Sequence, residues 1–230
     1  MENLNTFEQF IHYFQDNAGY VFQLFLEHFL ISIYGVLLAA IVGIPIGVWI
    51  ARHRRLVAPV ISVANIIQTI PAIALLALLM LAMGLGKKTV IMAVFLYALL
   101  PIIKNTYTGI KAVDEHIVDA GRGMGMTKRQ LLTMVELPLS LSVIIAGIRI
   151  ALVIAIGVTA IGSFIGAQSL GDIIIRGTNA TDGTSIILAG ALPTALMAVL
   201  ADIILGLIER RLDPTKRKKL NQAVPSAENE

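Results

Sequence analysis

Apolar runs dominate the chain, and short polar clusters punctuate them. The runs lie at about residues 28–50, 57–85, 89–107, 142–165 and 186–208. At about 1.5 Å of rise per helical residue, such runs cross roughly 30 Å of hydrocarbon. The second run is longer than a straight crossing needs, so it must tilt or break, and Pro71 in QTIPAIA marks the break. Pro45, Pro101 and Pro193 fall inside the first, third and fifth runs, with Gly43, Gly47 and Gly190 nearby. Such prolines either supply bends about which helices rock, or belong with small residues that let helices approach, and the pattern fits both readings. The expectation is an all-α, polytopic membrane protein of about five transmembrane helices.

Two segments depart from this rhythm. Residues 1–27 carry Glu2, Glu8, Asp16 and Glu27 without Lys or Arg, so they lack the basic start of a cleaved signal peptide. Phe7, Phe10, Ile11 and Phe14 share one helical face, and nine of the fourteen aromatics lie before residue 35. This segment reads as an amphipathic helix at the outer interface, ahead of a membrane domain at 28–208 and a basic tail at 209–230.

The second departure is KAVDEHIVDAGRGMGMTKRQLLTMVELP, residues 111–138. Its Lys, Arg and Asp side chains would each cost roughly 2.5–3.5 kcal/mol at a bilayer centre, so the segment lies in water. Apolar residues nevertheless recur at helical spacing: Ile117, Ala120 and Met124, then Leu131, Leu132 and Val135. That spacing predicts two short amphipathic helices joined by a turn at Gly125. Thr127 with Gln130 forms a capping box for the second helix, and Pro138, which lacks an N–H, is expected to stop it.

The basic residues orient the spans. Arg52, Arg54, Arg55, Lys111, Arg122, Lys128, Arg129, Arg210, Arg211, Lys216, Arg217, Lys218 and Lys219 fall on one side, against Lys87, Lys88 and Arg176 on the other. By the positive-inside rule the N-terminus is outside, and residues 111–138 and the C-terminus are cytoplasmic. The net charge of +3 is therefore segregated along the chain and speaks for orientation, not for nucleic acid. Arg149 and Asp202 lie at similar depth from the cytoplasmic ends of their spans; they either pair, or Arg149 and Lys104 snorkel to the interface while Asp202 faces water.

Composition narrows the chemistry. Hydrophobic residues make up 57% of the chain and charged ones 14%, far from a water-soluble globular balance. There is no cysteine, and the four histidines show no metal-ligand spacing. No Gly-Lys-Ser/Thr follows a glycine-rich turn, so nothing here binds ATP in the P-loop manner. A secondary transporter would call for repeated halves and mid-span carboxylates, and an intramembrane enzyme for a nucleophile beside a base. Neither pattern is present in the sequence.

Asp119-Ala120-Gly121, Gly125, Val135 and Leu137-Pro138 keep the order and spacing of a known motif. They resemble the coupling motif of binding-protein-dependent ABC importer permeases: Glu-Ala-Ala, three residues, Gly, nine residues, an aliphatic residue, any residue, Leu-Pro. Asp119 replaces the Glu and Gly121 the second Ala. The segments NIIQTIPA (65–72), LLPIIKNTYTGI (99–110), LGDIIIRGTNATDGT (170–184) and ILAGALPTALMA (187–198) look like the osmoprotectant branch, the importers of glycine betaine, carnitine and choline. The resemblance covers residues 19–211, and the methionine-type amino-acid permease is the alternative within the class.

This resemblance implies a type I ABC importer permease-like fold in a bacterial plasma membrane. It also implies a separate cytoplasmic ATPase that holds ATP and magnesium, an extracellular lipid-anchored binding protein, and a second permease that is a paralogue or another copy. Within that picture Asp172, Arg176 and Asp182, in a glycine-rich outer loop over 166–185, are candidates for docking the binding protein, the alternative being a solvated connector. Beyond residue 34 the aromatics are only Trp49, Phe95, Tyr97, Tyr107 and Phe164, and they are scattered. An aromatic cage for a quaternary ammonium is therefore expected on the binding protein.

Overall fold

A computed structural model describes residues 5–213 apart from residue 182. The described residues are helical almost throughout: α1 (Thr6–Arg52), α2 (Arg54–Thr69), α3 (Ala72–Met83), α4 (Lys87–Lys111), α5 (Glu115–Gly123), α6 (Lys128–Leu131), α7 (Leu137–Ile161), α8 (Gly171–Thr178) and α9 (Thr184–Leu212). Four stretches are long and apolar enough to cross a membrane: α1, α4, the run Lys128–Ile165 containing α7, and α9. The pair α2 and α3 forms a fifth element, bent by 97° at Pro71.

Helix α1 moves the expected boundary at residue 27. The chain breaks instead at Asn17 (φ −121°, ψ 17°), where the side-chain Nδ2 donates to Tyr13 O at 3.0 Å and takes over a carbonyl of the preceding turn. Residues beyond Asn17 belong to the bundle, and Val21 and Leu24 are already in its core. Ahead of the break, Phe7, Phe10 and Phe14 form an aromatic face with centroid separations of 6.4 and 5.0 Å.

The core is built around α4, which packs against α1, α7, α2 and α3. Small residues recur every fourth position along α1 at Gly35, Ala39, Gly43 and Gly47, and they bring the two backbones together. A Cβ at Gly35 would lie 2.3 Å from Val94 Cγ1, and one at Gly47 only 2.6 Å from Thr106 Cβ. Helices α1 and α7 share buried polar links: His28 Nε2 donates to Ile156 O at 2.9 Å, and the Ser32 and Thr159 hydroxyls are 2.9 Å apart.

Backbone groups freed by proline find partners across the core. Pro101 supplies no N–H to Tyr97 O, and the Gln68 amide donates to that carbonyl at 3.4 Å. In return the Tyr97 hydroxyl donates to Ile70 O at the α2–α3 break. Pro45, Pro101 and Pro193 lie inside α1, α4 and α9 without ending them.

Residues 166–185 are not a simple loop. They contain α8, which packs on α9, with Leu170 and Ile173 fully buried. Gly171 lets the start of α8 close on the end of α7, since a Cβ there would lie 2.0 Å from Ala160 O.

Helices α7 and α9 are joined by charge. Arg149 donates from Nε and Nη2 to the two carboxylate oxygens of Asp202 at 2.6 and 2.9 Å, and from Nη1 to Glu209 at 3.1 Å. Gly206 lies between the two acids on the same face of α9. A Cβ there would lie 3.2 Å from Nη1, so the glycine makes room for the guanidinium.

Two outcomes are expected. Tyr97→Phe leaves the Ile70 carbonyl without its donor, so the detergent-solubilised protein should lose about 1–3 kcal/mol of stability in a denaturation titration; an unchanged midpoint would remove that hydroxyl from the account. In a double-mutant cycle on Arg149→Ala and Asp202→Ala, the double variant should melt no lower than the worse single variant, whereas additive losses would show that the pair contributes nothing.

Candidate functional site

The polar interruption folds as a capped helical hairpin. Asp114 begins α5, its carboxylate accepting from His116 N at 2.9 Å. The helix ends in a Schellman motif: Met126 N donates to Gly121 O at 3.1 Å and Gly125 N to Arg122 O at 2.9 Å. Gly125 sits at φ 78°, a left-handed conformation that a side chain would resist. Thr127 then opens α6 with a capping box, Thr127 N donating to Gln130 Oε1 at 2.9 Å and Gln130 N to Thr127 Oγ1 at 3.3 Å.

Pro138 does not stop this helix. Residues Leu132–Glu136 widen into a π-helical turn, in which Leu137 N donates five residues back to Leu132 O, and α7 continues with Pro138 in its first turn. The wide turn relieves the clash a proline ring makes with the carbonyl four residues earlier, and the first turn is where a missing N–H costs least. The hairpin therefore runs directly into a membrane-crossing helix. Glu136, inside the wide turn and only 4% exposed, accepts from the Arg52 guanidinium at the end of α1.

The two faces of α5 do different things. Val118 and Gly121 turn inward, and a Cβ at Gly121 would lie 2.7 Å from Leu131 Cδ1, so glycine lets α5 seat on α6. The face predicted to be apolar points the other way: Ile117 is 44% and Met124 77% exposed, with Ala120 exposed between them. Asp119 lies beside this face and holds Arg122 at 2.8 Å, both exposed. Val135 and Leu137 are half-buried, and Pro138 is exposed.

At the opposite end, Asp172 is turned onto its own loop. Its carboxylate accepts from Ser169 N at 3.2 Å, and burial pushes its pKa above the usual carboxylate value. Arg176 lies over the Tyr20 ring, 4.9 Å from its centroid. Asp182 lies outside the described residues. So Asp172 and Arg176 are engaged within the chain, and of the two only Arg176 is exposed.

Sequence reasoning missed three participants. Glu209 carried a signal, since it follows Asp202 by seven residues and so shares its helical face. Gln68 carried a weaker one, an amide three residues before Pro71. Glu136 carried none, because it occupies the position of the motif that any residue may fill.

Three comparisons bear on this geometry. A family model described as the binding-protein-dependent transport system inner membrane component matches residues 43–214. The carnitine transport permease protein OpuCD of Listeria monocytogenes is 62% identical over 94% of this chain and 97% of its own length. The glycine betaine/carnitine/choline transport system permease protein OpuCD of Bacillus subtilis is 63% identical, over 95% of each. The choline transport system permease protein OpuBD of Bacillus subtilis is 60% identical over 94% of this chain and 96% of its own. Among solved structures, a chain of the MetNI methionine ABC transporter in an inward-facing conformation superposes with a TM-score of 0.76 over 84% of this chain and 95% of its own, at 20% identity, a likeness of fold alone. With the family model covering most of the chain and relatives above 60% identity along nearly all of it, this protein belongs to the family of binding-protein-dependent transport system inner membrane components.

Proposed function

We propose that this chain is the permease subunit of an ATP-driven importer that carries an osmoprotectant, glycine betaine, carnitine or choline, into a bacterial cell. Its partners on this reading are a cytoplasmic ATPase that holds ATP and magnesium, an extracellular lipid-anchored binding protein, and a second permease that completes the path. The N-terminus is outside and the C-terminus cytoplasmic. The substrate class is supported by the relatives at 60–63% identity.

The observation that carries the coupling role is the exposed face Ile117, Ala120 and Met124. It lies on a water-facing hairpin, so lipid does not cover it, and an apolar face held in water fits a protein partner. The hairpin is rigid for its size, with caps at both helix starts and a Schellman turn between them. Because α6 runs on into α7, a push on α6 reaches the membrane helices without passing through a loop, and α5 bears on α6 through the contact of Gly121 with Leu131.

Gly125→Val should force a β-branched side chain into a left-handed conformation, at about 1–2 kcal/mol, and tilt α5 against α6. Ala120→Arg should place a long cation in the middle of the apolar face. Each is expected to lower uptake at least tenfold and to reduce co-purification of the ATPase, while the permease still inserts in the membrane. Undiminished uptake by a stably expressed Gly125→Val protein with its ATPase attached would overturn the coupling assignment.

Orientation has a direct check, since the chain has no cysteine of its own. A cysteine placed at Thr181 should react with an impermeant maleimide on intact cells, and one placed at Arg129 only after permeabilisation. The reverse pattern would invert the topology.

A further inference from the structure

A cavity of about 460 Å³ opens between the end of α2, the middle of α4 and α7, lined by Gln68, Pro101, Lys104, Asn105, Thr108 and Ile150. Leu100 and Ile154 complete the lining, so an apolar wall from α4 and α7 stands beside the polar group Gln68, Lys104, Asn105 and Thr108. Lys104 is exposed into it, seven residues before the end of α4 at Lys111, or roughly 10 Å along the helix. Among the described residues Lys104 forms no ion pair, whereas Arg52 and Arg149 are each held by carboxylates. A lone ammonium inside a membrane span is costly unless it meets water or an anion.

Each of the two amides beside Lys104 has one of its two N–H donors committed to a backbone carbonyl. Gln68 Nε2 donates to Tyr97 O at 3.4 Å and Asn105 Nδ2 to Pro101 O at 2.8 Å. Their oxygens remain as acceptors, and Lys104 is the one cation of the lining and so its strongest donor to an anion. The α2–α3 break at Pro71 lies three residues beyond Gln68, so the α2 wall of the cavity ends close to where the chain leaves helical geometry.

We propose that Lys104 is the carboxylate subsite of the translocation path. It takes the carboxylate of a zwitterionic quaternary ammonium substrate, while the amide oxygens of Gln68 and Asn105 face its positive end. The inference rests on the osmoprotectant reading and refines it, for it separates substrates that carry a carboxylate, glycine betaine and carnitine, from choline, which carries a hydroxyl instead. Lys104 discriminates among substrates; it does not hold the permease together.

The test measures uptake of the three compounds by cells bearing the complete transporter with Lys104→Gln. Glycine betaine and carnitine uptake should fall at least tenfold through a higher KM, choline uptake should stay within twofold, and the ATPase should co-purify as before. An equal fall for choline, or no fall for any compound, overturns the subsite. Where the wild-type transporter carries no choline, Lys104→Cys decides. Treatment with an aminoethyl thiosulfonate, which appends an ammonium, should restore at least a third of carnitine or glycine betaine uptake, and the sulfonatoethyl reagent should restore none. Failure of the ammonium to restore uptake, or equal restoration by both reagents, overturns the proposal. A wild-type transporter that carries none of the three refutes the osmoprotectant reading itself, a result distinct from any of these.

Discussion

Lipid supplies neither hydrogen bonds nor counter-charge, and that absence governs most of this structure. Every backbone group freed by a proline and every charge drawn below the headgroups must be answered by the protein itself, or by water or a ligand in a cavity it provides. The reciprocal contact of Gln68 with Tyr97 O and of the Tyr97 hydroxyl with Ile70 O answers two such debts at once. It gives a donor to the carbonyl that Pro101 leaves open in the middle of α4 and to Ile70 O where the α2–α3 element turns through 97°. Arg149, set between Asp202 and Glu209, obeys the same rule for charge. Its guanidinium suits this task because a planar fork meets both oxygens of one carboxylate and still reaches a second acid, which an ammonium on a flexible stem does not.

The same constraint explains why the hairpin and α7 are one piece. A helix that ended at Pro138 would leave its last carbonyls to be satisfied near the membrane surface, and the chain would need a new start before the fourth span. Widening one turn over Leu132–Glu136 avoids both, at the expense of poorer local hydrogen bonding, and it turns Glu136 toward the end of α1. Arg52 neutralises the charge so buried. Removing one member of such a pair strands the other, which is costly even where the pair itself adds little.

Much of this architecture was legible in the sequence, because membrane spans and helix caps leave local signals. The runs of apolar residues, the break at Pro71, the turn at Gly125 and the Thr127–Gln130 box each depend on residues close together in the chain. What was not legible depends on neighbours distant in sequence or on competition between two local rules. Pro138 reads as a stop until a π turn absorbs it. The boundary at residue 27 gave way because Asn17 can cap the preceding turn with its own amide, and because Val21 and Leu24 have core to bury against. Residues 166–185 look like a loop by glycine content, yet Gly171 and Gly177 serve close packing: a Cβ at Gly177 would lie 2.6 Å from Ile187 Cγ1. The apolar face of α5 was read from spacing alone, which cannot say whether such a face is covered by the chain itself or left for another.

The packing density of the bundle is uneven, and the unevenness decides how a displacement spreads. Along the α1–α4 contact, glycines place backbone against side chain with no space for a methyl group at Gly35 or Gly47, and α7 meets α4 as closely where a Cβ at Gly147 would lie 2.6 Å from Asn105 Cβ. Interiors packed this tightly transmit strain; they do not absorb it. Helices α1, α4 and α7 therefore leave no slack among themselves, with Arg52 and Glu136 joining the ends of two of them. The α2–α3 element is held on one side only, by Leu75 and Leu76 in the core and two hydrogen bonds at its bend, while Ile66, Ile73 and Leu78 face outward. The cavity beside Lys104 lies at the seam between this tight trio and the end of α2. The wall carrying Lys104 thus belongs to the tight trio, and the wall carrying Gln68 is fastened to it through Tyr97, whose carbonyl accepts from the Gln68 amide and whose hydroxyl donates to Ile70 O.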